Sequence, residues 1–174
     1  QVVLAVKSGK AIRFEENKTR PMGRNASGVR GIRLANDADE VIGMVSVNDM
    51  DSDILVVSEN GYGKRSKLED YRMTNRGGKG VKTISITDKT GSLVSIKNVS
   101  DSDDLMIINR SGIAIRMEVE SLRVMGRATQ GVRLINLRND DTIAAVAKVL
   151  KDDEDIEDVE DIEVDMTTET ENES

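Results

Sequence analysis

The chain has 174 residues, of which 37% are hydrophobic and 33% are charged, and its formal net charge at pH 7 is -7. It contains no cysteine and no histidine, which excludes disulfides, thiolate or histidine metal ligands, Ser-His-Asp triads and imidazole bases. No apolar run approaches the roughly 18 residues of a membrane helix, so the composition predicts a non-membrane protein with a cytoplasmic location.

Charge is distributed unevenly along the chain. Of the 25 basic and 32 acidic residues, residues 151–174 hold one basic and 13 acidic residues, which leaves 24 basic and 19 acidic residues in residues 1–150. The sequence therefore predicts a mildly basic body followed by an acidic tail. Because the tail is rich in like charges and poor in large apolar groups, we expect it to be disordered.

The body consists of short predicted strands separated by turns. The first strand is predicted at about residues 2–7, directly after Gln1, which suggests a piece of a longer protein. Alternating apolar and polar residues predict further strands at about 11–14, 29–34 and 41–47. Glycine-containing turns separate the strands, and no segment has the periodicity of a long amphipathic helix.

This pattern then repeats twice, at offsets of 52 and 51 residues. A glycine recurs at equivalent places in "SGKAIRF", "NGYGKRS" and "SGIAIRM", and a second glycine follows 19 residues after each. The equivalent pairs are Gly9 and Gly28, Gly61 and Gly80, and Gly112 and Gly131. A repeat of about 50 residues is typical of propellers and related arrays.

The repeat predicts an all-β fold of three four-stranded, propeller-like blades at about residues 1–51, 52–102 and 103–150. Closed propellers contain about four to eight blades, so three blades predict an arc with free sheet edges. Either further blades lie upstream in a longer protein, or two copies of the chain associate edge to edge.

Basic residues occupy the same place in every repeat at four positions, which we call columns. Twelve of the 24 basic residues of the body fall in these columns, so we expect a repeated cationic stripe that binds a polyanion. The alternative is that they cap turns or pair with carboxylates, but the acidic residues show no matching columns. The columns are, first, Arg13, Arg65 and Arg116; second, Arg20, Arg72 and Arg123; third, Arg24, Arg76 and Arg127; and fourth, Arg30, Lys82 and Arg133.

The loop "RGGKG", residues 76–80, carries glycines and a lysine that the equivalent loops "RNASG" and "RATQG" lack. It is not a nucleotide-binding P-loop, because Met73 stands where that motif needs a glycine. Either the loop is a tight turn, or its backbone N–H groups approach a phosphate beside Arg76 and Lys79. Three aromatic residues are too few to stack on single-stranded bases. Since no recognition helix is predicted either, duplex DNA bound through its backbone is the expected polyanion.

At these residues the chain resembles the C-terminal region of the A subunit of bacterial DNA gyrase, over nearly all of residues 1–150. The segments that carry the resemblance are "MGRNASGVRGIRL", "ENGYGKRSKLEDY" and "MGRATQGVRLINL". The family's gyrase box reads Gln-Arg-Arg-Gly-Gly-Lys-Gly, and Thr74 and Asn75 replace its first two residues. The last five positions are matched by Arg76, Gly77, Gly78, Lys79 and Gly80. Because the family's box normally lies in the first blade, we interpret this one as a secondary, box-like loop.

The resemblance implies a β-pinwheel, usually of six blades with strands exchanged between neighbours. It also implies a noncatalytic domain that binds, wraps and bends duplex DNA without sequence readout and supports ATP-dependent negative supercoiling by the whole enzyme. ATP and Mg²⁺ are implied only for that holoenzyme, with no cofactor or metal in this segment. The implied partners at the nucleoid are double-stranded DNA and, from the enzyme itself, the gyrase B subunit with the remainder of the gyrase A subunit.

Several alternatives stay open. Thr74 and Asn75 leave room for the equivalent domain of topoisomerase IV, in which the box is degenerate, and a β-propeller-like scaffold for protein partners is a further alternative. Tyr62 and Tyr71 do not inherit the family's strand-cleaving role and are expected to pack or hydrogen-bond. The runs "DSD" and "DSDD" favour turns more than a metal site. The acidic tail either aids solubility or competes with DNA for the basic face.

Overall fold

The computed structural model describes residues 1–138 and 141–150 of the chain. Two 3-10 turns lie at Glu16–Lys18 and Leu68–Asp70. The strands in the described part are β1 (Val2–Val6), β2 (Lys10–Phe14), β3 (Val41–Ser46), β4 (Asp53–Ser58), β5 (Tyr62–Lys67), β6 (Val81–Lys82), β7 (Leu93–Val99), β8 (Asp103–Asn109), β9 (Ala114–Glu118), β10 (Val132–Arg133) and β11 (Ile143–Leu150).

The strands form three sheets, one for each repeat, and the first two sheets each take a strand from the following repeat. The sheet orders are β3-β1-β2-β6, β10-β5-β4-β7 and, among the described residues, β11-β8-β9. The exchanged strands pair Lys10 with Lys82, Ala11 with Val81, Tyr62 with Arg133 and Gly63 with Val132. The predicted all-β, propeller-like pinwheel with strand exchange between neighbours is confirmed.

One predicted strand is wrong. Residues 29–34 form no strand, although their equivalents β6 and β10 do. Those two strands form by pairing with the preceding repeat, and no preceding sheet edge exists in the part of the chain that the structure describes. Instead, residues 29–34 are tied to the following loop, since Arg33 N donates to the Gly78 oxygen at 2.8 Å and Gly77 N donates to the Gly31 oxygen at 2.7 Å. Alternation therefore predicts a strand only where a partner edge is available.

Two of the three apolar clusters among the described residues lie between neighbouring sheets, and the third, around Phe14, lies within the first repeat. Strand β4 shows how this works, because Ile54 and Val56 belong to the cluster shared with the first sheet, whereas Leu55 and Val57 belong to the cluster shared with the third. Successive side chains of a strand point to opposite faces, so the middle sheet is covered on both faces. Stacking of the repeats thus buries a core that no single repeat contains.

The exchanged strands define an outer side of the arc. β7 contacts both β3 and β11, so these three strands lie together on the inner side, while β6 and β10 are the opposite edges of their sheets. The loops that lead to them follow β2 and β5, because Thr74 N donates to the Arg13 oxygen at 2.9 Å and Met125 N to the Arg65 oxygen at 2.8 Å. We call residues 20–30, 72–82 and 123–133 together the outer rim.

Two of the sequence predictions stay predictions. The acidic tail, residues 151–174, lies outside the described residues, and the exact blade boundaries are likewise untested. In the described part of the chain, no helix is long and apolar enough to span a membrane.

Candidate nucleic-acid interface

Arg13, in the first column, is a buried clamp between two repeats. Its side chain projects from β2, and the residue is only 7% exposed. Nη1 donates to the carbonyl oxygens of Leu68 at 2.8 Å and Tyr71 at 3.1 Å, both in the second repeat, and Nε donates to Gln1 Oε1 at 2.7 Å. Burial lowers the pKa of this guanidinium, although arginine stays charged at neutral pH.

Arg65 occupies the same place one repeat further along and is also 7% exposed. It donates from Nε to the carbonyl oxygen of Leu122, forms an ion pair with Asp101, and lies 3.7 Å from the carboxylate of buried Asp53. The prediction that Arg13 and Arg65 contact DNA is therefore corrected, because both guanidinium groups are taken up by contacts between repeats. Arg116, in the third repeat, has a 44% exposed side chain and pairs with Asp104 at 2.7 Å.

The third column also joins repeats. Half-buried Arg76 donates to the carbonyl oxygens of Lys18 at 3.2 Å and Arg30 at 2.5 Å, in the first repeat. Arg127 makes the two equivalent bonds to the second repeat, at 3.0 and 2.8 Å. Arg24 is exposed and has no such contact among the described residues. Arg76 and Arg127 therefore hold one segment of the outer rim against the next, with part of each guanidinium still facing solvent.

The second and fourth columns are the exposed ones. Five of their six side chains form no hydrogen bond or ion pair within residues 1–138 and 141–150. The sixth, Arg133, donates to the Tyr62 hydroxyl and to Asn136. The six residues are Arg20, Arg72 and Arg123 of the second column and Arg30, Lys82 and Arg133 of the fourth. They recur on the outer rim in every repeat, so the cations that remain for an anionic ligand form one repeated series.

Two glycines of the box-like loop, Gly77 and Gly80, are required by the backbone itself. Gly77 and Gly80 have φ values of +80° and +70°, which other residues rarely adopt. A Cβ atom on Gly80 would lie 2.5 Å from the Ala11 oxygen, and one on Gly78 would lie 3.4 Å from Cδ1 of Ile12. Of the two glycines that the equivalent loops lack, the backbone therefore requires Gly77, whereas a Cβ atom on Gly78 would make only an ordinary contact. Of the charged residues of the loop, exposed Lys79 has no partner in the described part of the chain.

The two tyrosines pack and hydrogen-bond, as the sequence predicts. Tyr71 is 0% exposed and its hydroxyl lies 2.5 Å from Thr83 Oγ1. Burial raises the pKa of Tyr71 to about 12. Tyr62, at the outer edge of the second sheet, accepts hydrogen bonds from Arg133, and these lower the pKa of its phenol.

Lys64 is a site residue that sequence reasoning misses. It lies on β5 with 1% exposure, and its ammonium donates to the Gly126 oxygen at 2.6 Å and to Thr129 Oγ1 at 3.2 Å. It therefore holds the outer-rim loop of the third repeat from the buried side of that loop. The available signal is that the equivalent residues in the other repeats are Ile12 and Ile115, so a lysine here interrupts an apolar position.

Burial lowers the pKa of Lys64 to about 8, with Asp70 opposing and Arg127 reinforcing the shift. The unfolded chain holds this proton up to about pH 10.4, so it binds more protons than the folded chain between about pH 8 and 10. We therefore expect the free energy of unfolding to rise with pH in this interval by about 1 to 2 kcal/mol. Urea unfolding at about pH 8 and at about pH 10 measures this change in the free energy of unfolding. In Lys64→Met the rise should be smaller by this amount, and an equal rise in both proteins would contradict the assignment.

The acidic turns at the blade junctions act as ion-pair partners. Asp53 pairs with Lys67 at 3.1 Å, and Asp103 pairs with Lys148 at 3.3 Å. Asp103 also accepts from the Ser100 amide at 2.7 Å. Within the described ranges, no group of three acidic side chains is placed to hold a metal ion.

A family model described as "DNA gyrase C-terminal domain, beta-propeller" matches residues 2–48, 52–100 and 103–150. The chain is 47% identical over 148 residues to the A subunit of DNA gyrase from Chlamydia muridarum (strain MoPn / Nigg), covering 85% of this chain and 18% of that protein. It is 46% identical over 149 residues to the same gyrase protein of Staphylococcus aureus (strain MRSA252), covering 84% of this chain and 17% of that protein. The chain thus spans less than a fifth of these relatives.

Solved structures share the fold. A structure of the DNA gyrase A C-terminal domain superposes with a TM-score of 0.78 at 28% identity, covering 86% of this chain and 50% of that one. The C-terminal domain of DNA topoisomerase IV superposes with a TM-score of 0.80 at 21% identity, covering 86% of this chain and 46% of that one. The second likeness is one of fold alone.

Proposed function

Because this chain belongs to the family of the DNA gyrase C-terminal domain, we propose that its outer rim binds duplex DNA without sequence readout and bends it around the blades. In this proposal the chain is a noncatalytic part of a gyrase A subunit. Its role is to wrap the DNA on which the whole enzyme acts.

The observation that carries the proposal is the repeated series of exposed cations in the second and fourth columns. Backbone phosphates of a duplex recur along a path, and a cation series that recurs at each blade can follow them. The exchanged strands β6 and β10 are two residues long, and the described part of the chain offers no helix for the major groove. Contact with phosphates therefore supports affinity without base recognition.

Bending requires that these contacts offset the stiffness of DNA. Smooth bending of a site of about 20 to 30 bp by 40 to 90° costs on the order of 1 to 6 kcal/mol. Exposed ion pairs contribute about 0.2 to 1 kcal/mol each, so six or more phosphate contacts can supply energy of that size. The number of cations on the rim thus matters more than any one of them.

The function can be tested with a duplex of about 30 bp that carries a fluorescent donor and acceptor at its two ends. We expect energy transfer to increase as the chain is added and to fall again as salt is raised from about 50 to 200 mM. Binding without a change in energy transfer would contradict bending. A protein-binding scaffold of the same fold would show neither binding nor bending.

The wider context of the proposal is the gyrase holoenzyme. Its remaining A-subunit residues and its B subunit would be the protein partners of this chain, and ATP and Mg²⁺ would act elsewhere in that assembly. A protein with this role works at the nucleoid, in the cytoplasm. The identities of 46–47% to gyrase A subunits favour gyrase over topoisomerase IV, whose matching domain supports the fold only.

As the alternative to upstream blades from the rest of a gyrase A subunit, we propose that two copies of this 174-residue chain associate edge to edge, through the edge of β9 in one copy and residues 28–32 of the other. The space around four glycines supports this association. Gly80 and Gly131 approach carbonyl oxygens of the preceding sheet so closely that a Cβ would lie 2.5 and 2.6 Å away. Gly28 has the same backbone, with φ +77°, yet nothing lies within 4 Å of its Cβ position. Gly112, at the free edge, likewise has φ +87° and open space.

The register of the two observed exchanges predicts the register of this association. Val81 lies opposite Ala11, and Val132 lies opposite Gly63, so Val29 should lie opposite Ala114 of the second copy. Because the chain has no cysteine, the variant Val29→Cys with Ala114→Cys should form a covalent dimer on oxidation. The control is Val41→Cys with Ala114→Cys, since Val41 is 50% exposed on β3. Equal cross-linking of both variants, or a monomeric mass at all concentrations, would refute the association.

A further inference from the structure

A cavity of about 250 Å³ opens at the outer edge of the second sheet. Its walls bring together two cations that are far apart in the sequence. The residues that line it are Asn60, Tyr62, Lys89, Arg133, Leu137 and Asp141. Lys89 belongs to none of the four columns, and neither it nor Tyr62 has a part in the DNA-binding series described above.

Both cations lie over the aromatic ring of Tyr62. Lys89 Nζ lies 5.4 Å from the ring centroid, and Arg133 Cζ lies 5.3 Å from it. These are distances at which the π-face attracts a cation. Like charges repel each other, so two cations held this close to one ring favour an anion between the two side chains.

The guanidinium of Arg133 is held in a defined orientation. Nε and Nη2 donate to the Tyr62 hydroxyl at 3.2 and 2.8 Å, and Nη1 donates to Asn136 Oδ1 at 3.1 Å. A guanidinium has five N–H donors, so hydrogens remain for a ligand after these three bonds. Tyr62 is therefore a positioning residue for Arg133.

The turn that carries Lys89 is held as well. Asn60 donates from Nδ2 to the carbonyl oxygens of Asp88 at 3.1 Å and Lys89 at 3.2 Å, and Thr90 is fully buried. The ammonium of Lys89 is exposed and forms no ion pair within the described residues. Asp141 also lines the cavity, but its two oxygens accept from the Ser111 hydroxyl at 2.6 Å and the Thr142 amide at 2.8 Å. Its carboxylate is thus turned to other partners.

The equivalent place in the first sheet also carries two cations, in a different arrangement. Tyr62 lies opposite Arg133 in the exchanged pair, and Lys10 lies opposite Lys82 in the preceding one. Like charges directly opposite on neighbouring strands destabilise a sheet. Lys10 and Lys82 therefore form a like-charge pair that an anion between them would stabilise, whereas the residue equivalent to Lys89 in the first repeat is Asp37.

We propose that the cavity beside Tyr62 binds a phosphate group through Lys89 and Arg133, and that Lys10 and Lys82 hold another phosphate further along the rim. The inference rests on the proposed function in one respect, which is that the phosphate belongs to the DNA backbone. Free inorganic phosphate offers the same chemistry, and the test below separates the two sources. A backbone phosphate here extends the DNA path from the outer rim to the turn that contains Lys89.

The first measurement is the salt dependence of duplex binding by Lys89→Gln. Loss of one phosphate contact should reduce the slope of log K against log salt by about 0.9, so the loss of affinity between 50 and 200 mM salt becomes about 3-fold smaller than in the parent chain. The control is Lys7→Gln, which removes the same charge from the inner side, where Lys7 pairs with Glu40. Equal slope changes in the two variants would overturn the proposal, since net charge alone would then explain them.

The second measurement uses inorganic phosphate and does not require DNA. The Tyr62 ring resonances should shift saturably with phosphate in the parent chain, and not with chloride at matched ionic strength. Tyr62→Phe should reduce phosphate affinity while the chain stays folded, because the ring remains and only the hydroxyl that orients Arg133 is lost. If the chain bound no DNA yet showed this shift, the proposed function would fail and the phosphate site would stand. Absence of the shift together with an unchanged slope in Lys89→Gln would overturn the site.

Discussion

Replacing Arg65 by alanine is expected to lower the free energy of unfolding by about 3 kcal/mol. The guanidinium joins β5 to the third repeat through Leu122 and Asp101, and it lies beside the buried carboxylate of Asp53. Its loss leaves a buried carbonyl oxygen without its donor and leaves Asp53 with only the partly exposed Lys67 as a cation partner. Urea denaturation followed by far-ultraviolet circular dichroism measures the change.

Arg72→Ala is the matched control for this variant. Arg72 is exposed and has no partner in the described part of the chain, so its loss should change stability by no more than about 0.5 kcal/mol. Arg65→Lys keeps the charge but not the planar fork of donors, so its free energy of unfolding should lie between those of Arg65→Ala and Arg72→Ala. Equal stabilities for Arg65→Ala and Arg72→Ala would show that the buried arginine is not a clamp between repeats.

Arg65→Ala should lower stability, whereas removal of the second column should lower DNA affinity and leave stability unchanged. We expect the variant with Arg20, Arg72 and Arg123 all changed to Gln to bind a duplex about 3- to 100-fold more weakly at 50 mM salt, because each exposed ion pair contributes about 0.2 to 1 kcal/mol. Fluorescence anisotropy with a labelled duplex measures this loss. The urea midpoint of the same variant should match that of the parent chain.

The control removes the same number of cations from places outside the two exposed columns. Lys7, Lys67 and Lys148 pair with Glu40, Asp53 and Asp103, and changing all three to Gln gives the same net charge as the column variant. If this control weakened DNA binding as much as the column variant does, the rim would have no special part in binding, and net charge would be the cause.

The repeat register carries most of the information about the fold. The fixed spacing of the paired glycines predicts equivalent blades, and the structure uses Gly80 and Gly131 for the same close approach to the preceding sheet. The strand at residues 29–34 could not be predicted correctly, because a two-residue outer strand forms only when an edge is there to receive it. Its sequence matches that of β6 and β10, and the difference is that only those two strands have a preceding sheet edge with which to pair in the described part of the chain.

The sequence could not show which of the four basic columns are buried between repeats and which are exposed. Arginines without matching acidic columns are free only if carboxylates are their usual partners. Arg13, Arg76 and Arg127 instead donate to backbone carbonyl oxygens of the adjoining repeat, and every residue type has a carbonyl, so such contacts leave no trace in the sequence. Clamps that use carbonyl oxygens therefore look like exposed cations in the sequence, whereas the carboxylates beside Arg65 and Arg116, which are Asp53 and Asp104, do recur at equivalent positions.

The most direct test of the account is the slope of log K against log salt for duplex binding by the parent chain and by the Arg20, Arg72 and Arg123 triple variant. Six phosphate contacts from the two exposed columns correspond to a slope of roughly -5, and loss of three contacts should bring it to roughly -3. A parent slope near zero, or one that does not change in the triple variant, would contradict the claim that the exposed columns contact the DNA backbone.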